Sequence, residues 1–175
     1  MIRNNIFGAQ ARHNASFWQE TDNPKLGSTE NRILNNLFIT TKRHAIKFEN
    51  NSGRNIFFGN IVLGVSIDGI KVTANPAALL METDATSADN VYQSNVYISG
   101  MFEGRTPAPG EIVVREFSQA WFKAFPTTPR DAANGFTPAL GAPFLDKDKL
   151  SPEVPADMNG TPRRDPSDLG PIEVP

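Results

Sequence analysis

The sequence predicts a mainly β fold: a small antiparallel β-sandwich or barrel, jelly-roll-like, with long irregular arms at its N and C termini. Three observations point there. Short β-prone runs between residues 28 and 125 are punctuated by Asn, Gly and Pro. Asp68-Gly69 lies between VSI and IKV, and Asp-Gly between β-branched runs is the strongest short-range hairpin signal, because a type I′ turn needs positive φ at both central residues. No helical run of about 10–15 residues separates the strands, as a βαβ fold would require.

The elements follow in order. Residues 1–27 mix Asn, Gln and Arg with Phe7, Phe17 and Trp18 and end in the turn-rich TDNPKLGS. No period holds there, so the segment reads as an irregular arm whose aromatic side chains pack on something. Residues 28–125 read as the folded core. STENRILNNLF supports a short helix capped by Ser28 or Thr29, with Ile33, Leu34, Leu37 and Phe38 on one face. A strand from Ile33 to Thr40 is the rival reading. AIKFE alternates, with Ile46 and Phe48 on one face, and NNSG (Asn50 to Gly53) supplies a turn. RNIFFGNIVLGVSI is β-rich, with Gly59 and Gly64 expected at bulges or close approaches. Asn75-Pro76 ends the strand after the hairpin. NVYQSNVYISGMFEG reads as one strand or two. Pro109-Gly110 signals a type II turn feeding EIVVREF. SQAWFKAF closes the core as a helical turn or as further strand.

Residues 126–175 differ in kind. They hold ten of the chain's 14 prolines. Apolar residues come singly: Phe136, Leu140, Phe144, Leu150, Val154, Met158, Leu169 and Ile172. A flexible linker would be Gly/Ser-rich and poor in such anchors. A proline-rich strip with an anchor every few residues reads as an extended arm lying on a surface. Fully extended, it would be several times longer than a 100-residue core is wide. It therefore either wraps its own core or crosses onto neighbours, and the second is the expectation.

Composition narrows the function classes. The chain has 175 residues, a net charge of −2 and no cysteine. The last excludes disulfide frameworks, thiolate zinc sites and thiol nucleophiles. Balanced charge offers no whole-chain argument for nucleic acid or an anionic membrane. No secretory leader or membrane-spanning run is read from the sequence. The expectation is a soluble chain, in the virion if viral and otherwise cytoplasmic. Three N-x-S/T sequons, at Asn14, Asn50 and Asn159, carry no weight among 16 asparagines.

No linear motif marks an active site. His13 and His44 lack the short spacing of a metal site, and Gly64-Val65-Ser66-Ile67-Asp68 fails as a nucleophile elbow. Asp146-Lys147-Asp148-Lys149 lacks the glycine and closing Glu of a calcium loop. Phosphate-cradling glycine motifs are missing. Glu103, Glu111 and Glu116 are carboxylates near strand ends, the default candidates for acid–base work. The expectation is no catalytic residue, no metal and no cofactor. Lys42-Arg43 and Arg163-Arg164 are weak basic clusters, the latter offset by Asp165 and Asp168. The N-terminal arm, with Arg3, Phe7, Arg12, Phe17 and Trp18, is the best place for nucleic acid or partner contacts.

A small β domain with two long arms looks like viral capsid, minor-capsid or cement subunits, a resemblance of organisation rather than of motif. It implies a non-enzymatic structural protein whose partners are copies of itself or other subunits, with the eight C-terminal anchors as partner contacts. The alternative is a carbohydrate- or receptor-binding module of the tail-fibre kind, which exposed coplanar rings among Trp18, Tyr92, Tyr97 and Trp121 would favour. A small β-fold hydrolase is the third reading.

Overall fold

The computed structural model describes residues 1–10, 13–18, 27–40, 44–68, 71–125, 135–147 and 151–174. The chain visits three sheets in strict rotation. A first coil runs through β1 (Ile2–Arg3), β2 (Ile6–Gln10) and β3 (Ala15–Phe17). The second follows with β4 (Arg32–Leu34), β5 (Leu37–Thr40) and β6 (Ile46–Phe48). The third is β7 (Ile56–Phe58), β8 (Ile61–Asp68) and β10 (Leu79–Thr83), with β9 (Lys71–Ala74) inserted between the last two. The fourth is β11 (Val91–Gln93), β12 (Val96–Ile98) and β13 (Met101–Glu103), and β14 (Ile112–Val114) begins a fifth. Each strand pairs in parallel with its counterpart one coil away, giving sheet A (β1-β4-β7-β11), sheet B (β2-β5-β8-β12-β14) and sheet C (β3-β6-β10-β13). The architecture is a three-faced parallel β-solenoid.

This overturns the antiparallel sandwich or barrel. The sole antiparallel strand pair among the described residues is the β8–β9 hairpin, in which Asp68 pairs with Lys71. Asp68 is thus strand rather than turn, and residues 69–70 lie outside the described residues. The irregular N-terminal arm is corrected too, since Ile2 to Phe17 contribute the first coil. The segment after Ser28 takes the strand reading, as β4 and β5, not the helical one. Residues 119–121 make a single 3-10 turn.

The corners explain the coil. Between sheets A and B the chain turns in two residues: Asn4-Asn5, Asn35-Asn36, Gly59-Asn60 and Ser94-Asn95. The first of each pair has positive φ, at 54°, 50°, 66° and 52°, a region that Asn and Gly tolerate best. The second is an asparagine that builds a ladder. Asn36 Nδ2 donates to Asn60 Oδ1 at 3.0 Å, and Asn60 Nδ2 donates to Asn95 Oδ1 at 3.0 Å. The same oxygens accept backbone N–H groups from the preceding coil, Asn36 N to Asn60 Oδ1 and Asn60 N to Asn95 Oδ1, both at 2.9 Å. A second ladder, Asn31-Asn55-Asn90, lines the corner before sheet A. Buried corners need such partners because the turn leaves backbone groups outside the sheet bonds.

Alternation separates two cores. Inside the solenoid lie Phe17, Ile33, Phe38, Ile46, Phe48, Phe57, Val62, Met81 and Tyr97. Aromatic side chains stack coil on coil: the Phe7 and Phe38 rings lie 4.6 Å apart and nearly parallel, and Phe17 and Phe48 lie 4.9 Å apart. The outer side of sheet B presents Leu37, Ile39, Ile61, Leu63, Val65, Val96 and Ile98, which cluster with Phe122, Phe136, Phe144, Leu169 and Ile172. The proline-rich C-terminal segment is the lid of this second core. Gly170 N donates to Gly59 O at 2.8 Å, and the buried Arg163 guanidinium reaches Gly170 O at 2.6 Å and Asn4 Oδ1 at 3.1 Å. Gly64 is a close approach, as expected: a Cβ there would overlap the Ser99 carbonyl oxygen of the next coil.

Candidate functional site on the third sheet

Sheet B is sealed by the C-terminal segment. Sheet A is touched by it through Glu153, which meets Arg3 with its carbonyl and Arg32 with its carboxylate. Among the described residues, no hydrogen bond or ion pair joins that segment to sheet C. The outer side of sheet C is therefore the natural place to look for a functional surface.

Period-two alternation decides what it presents. Ala15, Ile46, Met81 and Phe102 are in register and face inward. The next residues, Ser16, Lys47, Glu82 and Glu103, are also in register and form an outward column across four coils. Neighbouring strands lie about 4.8 Å apart, so side chains in this column are within reach of one another. Lys47 Nζ pairs with Glu49 and lies 3.5 Å from Glu82 Oε1. His44 approaches from the corner before β6, its Nε2 2.6 Å from Glu82 Oε2. On its other side, His44 Nδ1 lies 2.8 Å from His13 Nδ1, with the two rings stacked 4.8 Å apart. Glu103 is exposed and makes no ion pair among the described residues. Trp18 follows Phe17 in the next outward place and is 49% exposed. Phe17 O accepts the backbone N–H of Glu49, which sets Trp18 beside the charged column.

The other residues singled out from the sequence fall elsewhere. Phe7 and Phe17 are in the interior stacks, and Arg3 is exposed beside Glu153. Arg12 and Leu150 lie outside the described residues. Phe136, Phe144, Leu169 and Ile172 pack on sheet B, and Val154 is buried. Leu140 is 92% exposed and Met158 is exposed as well. Glu116 is exposed and follows β14 of sheet B.

Glu111 has a structural task. It accepts from Asn95 Nδ2, Tyr97 Oη and Ala108 N and pairs with Arg105, whose guanidinium lies 3.8 Å over the Tyr92 ring. Burial, and then the nearby Glu111 carboxylate, hold the Tyr97 phenol well above its ordinary range. Of the four rings expected as a platform, Tyr97 is buried, Tyr92 lies beneath Arg105, and Trp121 packs against the sheet B core. Trp18 alone of the four is exposed.

Sequence reasoning passed over the grouping of His13, His44, Lys47, Glu82 and Glu103. It judged His13 and His44 by linear spacing, whereas coil stacking brings their rings together across 31 residues. The signal that could have found the group is the recurring Asn-aliphatic-aromatic corner, which sets the coil register. Compared with known proteins, the chain matches no family model and no curated sequence.

Proposed function

We propose that the chain is a non-enzymatic binding module whose outer sheet C face takes an extended carbohydrate. The observation that carries this reading is Trp18, exposed at the edge of an in-register column of Ser16, Lys47, Glu82 and Glu103 on the sheet to which no described residue of the C-terminal segment makes a hydrogen bond or ion pair. An indole face stacks on the apolar face of a sugar ring. Hydroxyl, ammonium and carboxylate groups beside it supply donors and acceptors for sugar hydroxyls. Solenoids suit elongated ligands, because stacked coils repeat a side-chain position along the axis.

Affinity electrophoresis through gels containing neutral and charged polysaccharides tests the reading. Retardation by at least one polysaccharide is expected, reduced about tenfold in affinity by Trp18→Ala and unchanged by Glu116→Gln. If no polysaccharide retards the protein, or if Trp18→Ala migrates like the parent, the reading is wrong.

A second reading keeps the assembly role, as a capsid or accessory subunit of a virion. It is supported by exposed apolar side chains at separate places, Val91, Met101, Val113 and Leu140. Light scattering decides between a monomer and a defined oligomer, and a monomer at all accessible concentrations would count against self-assembly.

A further inference from the structure

The geometry points to a binding site for a divalent transition-metal ion formed by His44, Glu82 and Glu103, with zinc the ion its donors fit best. One donor atom from each of the three lies within 4.8 Å of the others. The three come from successive coils: sheet C register sets the spacing of Glu82 and Glu103, and His44 reaches them from the corner before β6. The inference uses the face described above but does not depend on carbohydrate being its ligand.

Charge is the first argument. Glu82 and Glu103 are directly paired across β10 and β13. Like charges in that relationship repel. Lys47 offsets Glu82 from the opposite side and is itself shared with Glu49. Among the described residues no cation pairs with Glu103. Among the described residues, the two-carboxylate end of the column is therefore short of positive charge where His44 Nε2 also points.

Ring orientation is the second argument. His44 directs Nε2 to Glu82 at 2.6 Å while Nδ1 faces His13 Nδ1 at 2.8 Å. Two ring nitrogens at that distance share one proton. The 2.6 Å approach of Nε2 to Glu82 Oε2 needs a proton between the two atoms, so a metal would bind there by displacing that proton to solvent, with His44 Nδ1 then donating to His13 Nδ1. A hydrogen bond to the far nitrogen of a ligating histidine is the usual support that fixes its tautomer and direction. His13 is thus a positioning residue, not a ligand.

Donor chemistry selects the ion. One imidazole and two carboxylates suit zinc and its first-row neighbours, at bond lengths of about 2.0–2.2 Å. Calcium prefers six to eight oxygens, and magnesium keeps most of its water. Around a tetrahedral zinc, ligand atoms sit about 3.3 Å from one another. The exposed Glu103 side chain has the freedom to close that gap. Three protein ligands leave a fourth position open to solvent.

Isothermal titration of zinc chloride into the full chain, first stripped with EDTA and dialysed, tests the site. One zinc per chain is expected, with no saturable heat from magnesium or calcium chloride at the same concentrations. His44→Ala and Glu103→Gln should each weaken zinc binding at least tenfold. His13→Ala should weaken it about tenfold through loss of orientation, and Glu116→Gln should leave it unchanged. Glu103 is exposed, so Glu103→Gln should keep the parent's circular dichroism. Cobalt(II) should bind with visible absorption that Glu103→Gln abolishes. The absence of saturable zinc binding, or zinc binding equally tight in His44→Ala and Glu103→Gln, overturns the proposal. Polysaccharide gels run with EDTA report on the carbohydrate reading separately.

Discussion

Asn95 Nδ2 donates to Glu111 Oε1 at 2.9 Å, and with that bond the asparagine ladder of the A–B corner ends on a carboxylate. Asn36, Asn60 and Asn95 are amides that each accept and donate. The last rung has no further coil to donate to, so an acceptor-only group fits there better than another amide. Glu111 uses its remaining lone pairs on Tyr97 Oη, Ala108 N and Arg105. Its side chain is fully buried and that of Arg105 nearly so.

Removing that terminus should be costly. Glu111→Ala leaves Arg105 and the Asn95 amide buried without their partner and is expected to lower stability by about 3–5 kcal/mol. Glu111→Gln, which keeps an acceptor oxygen but loses the charge, should cost less. Urea denaturation followed by circular dichroism measures both. Equal stability of Glu111→Ala and the parent would show that the ladder does not depend on its end.

The middle of the ladder should be equally sensitive. Asn60 accepts from the backbone and side chain of Asn36 and donates to Ile33 O, Phe58 O and Asn95 Oδ1. Asn60→Ala strands several buried groups, each worth about 1–3 kcal/mol when unsatisfied. A loss of about 3 kcal/mol or more is expected in the same assay. The exposed Glu116→Gln should change stability by less than about 0.5 kcal/mol.

Truncation after Phe125 should expose the apolar outer side of sheet B. The truncated chain is expected to aggregate or to lose its cooperative thermal transition, because Leu37, Ile61, Leu63, Val96 and Ile98 would lose Phe136, Phe144, Leu169 and Ile172. Phe144→Ala in the full chain is the milder form of the same test, with an expected loss of about 3–5 kcal/mol. A soluble truncated monomer with native-like circular dichroism would instead make the segment a detachable arm.

Asp84 should contribute a pH-dependent share of stability. Burial raises its pKa, but bonds from the Asn50 N–H and from Thr86 and Ser87 outweigh that, and the net shift is below the ordinary value of 3.8. A depressed folded pKa stabilises the fold above the unfolded value and loses that contribution as pH falls through the folded one. Asp84→Asn should therefore be less stable than the parent near pH 7, and the gap should shrink as pH falls below about 4. Melting curves across pH 2.5–7 measure this, and a constant gap would refute the assignment.

Much of the local structure was legible in the residues. The inward pair Ile46 and Phe48, the close approach at Gly64, the end of β9 at Asn75-Pro76 and the turn at Pro109-Gly110 all follow from alternation and backbone restriction. Pairing direction did not follow. Asn, Gly and Ser at positive φ serve solenoid corners as readily as hairpin turns, so punctuation alone does not distinguish them. The coil repeat is visible in NNIF, NNLF, GNIV, SNVY and GEIV. Its spacings of 31, 24, 35 and 16 residues are too unequal to show as a period. Part of the inequality comes from the β8–β9 hairpin inserted in the third coil.

The sequence by itself determined the alternation of AIKFE, the close approach at Gly64 and the turns at Asn75-Pro76 and Pro109-Gly110, because those depend on neighbours within a few residues. Tertiary structure alone decided that the strands stack in parallel, that Phe136, Phe144, Leu169 and Ile172 of the proline-rich segment pack on sheet B, and that His13, His44, Glu82 and Glu103 meet. Those outcomes depend on contacts between residues dozens of positions apart, set by register and by which apolar face most needs cover.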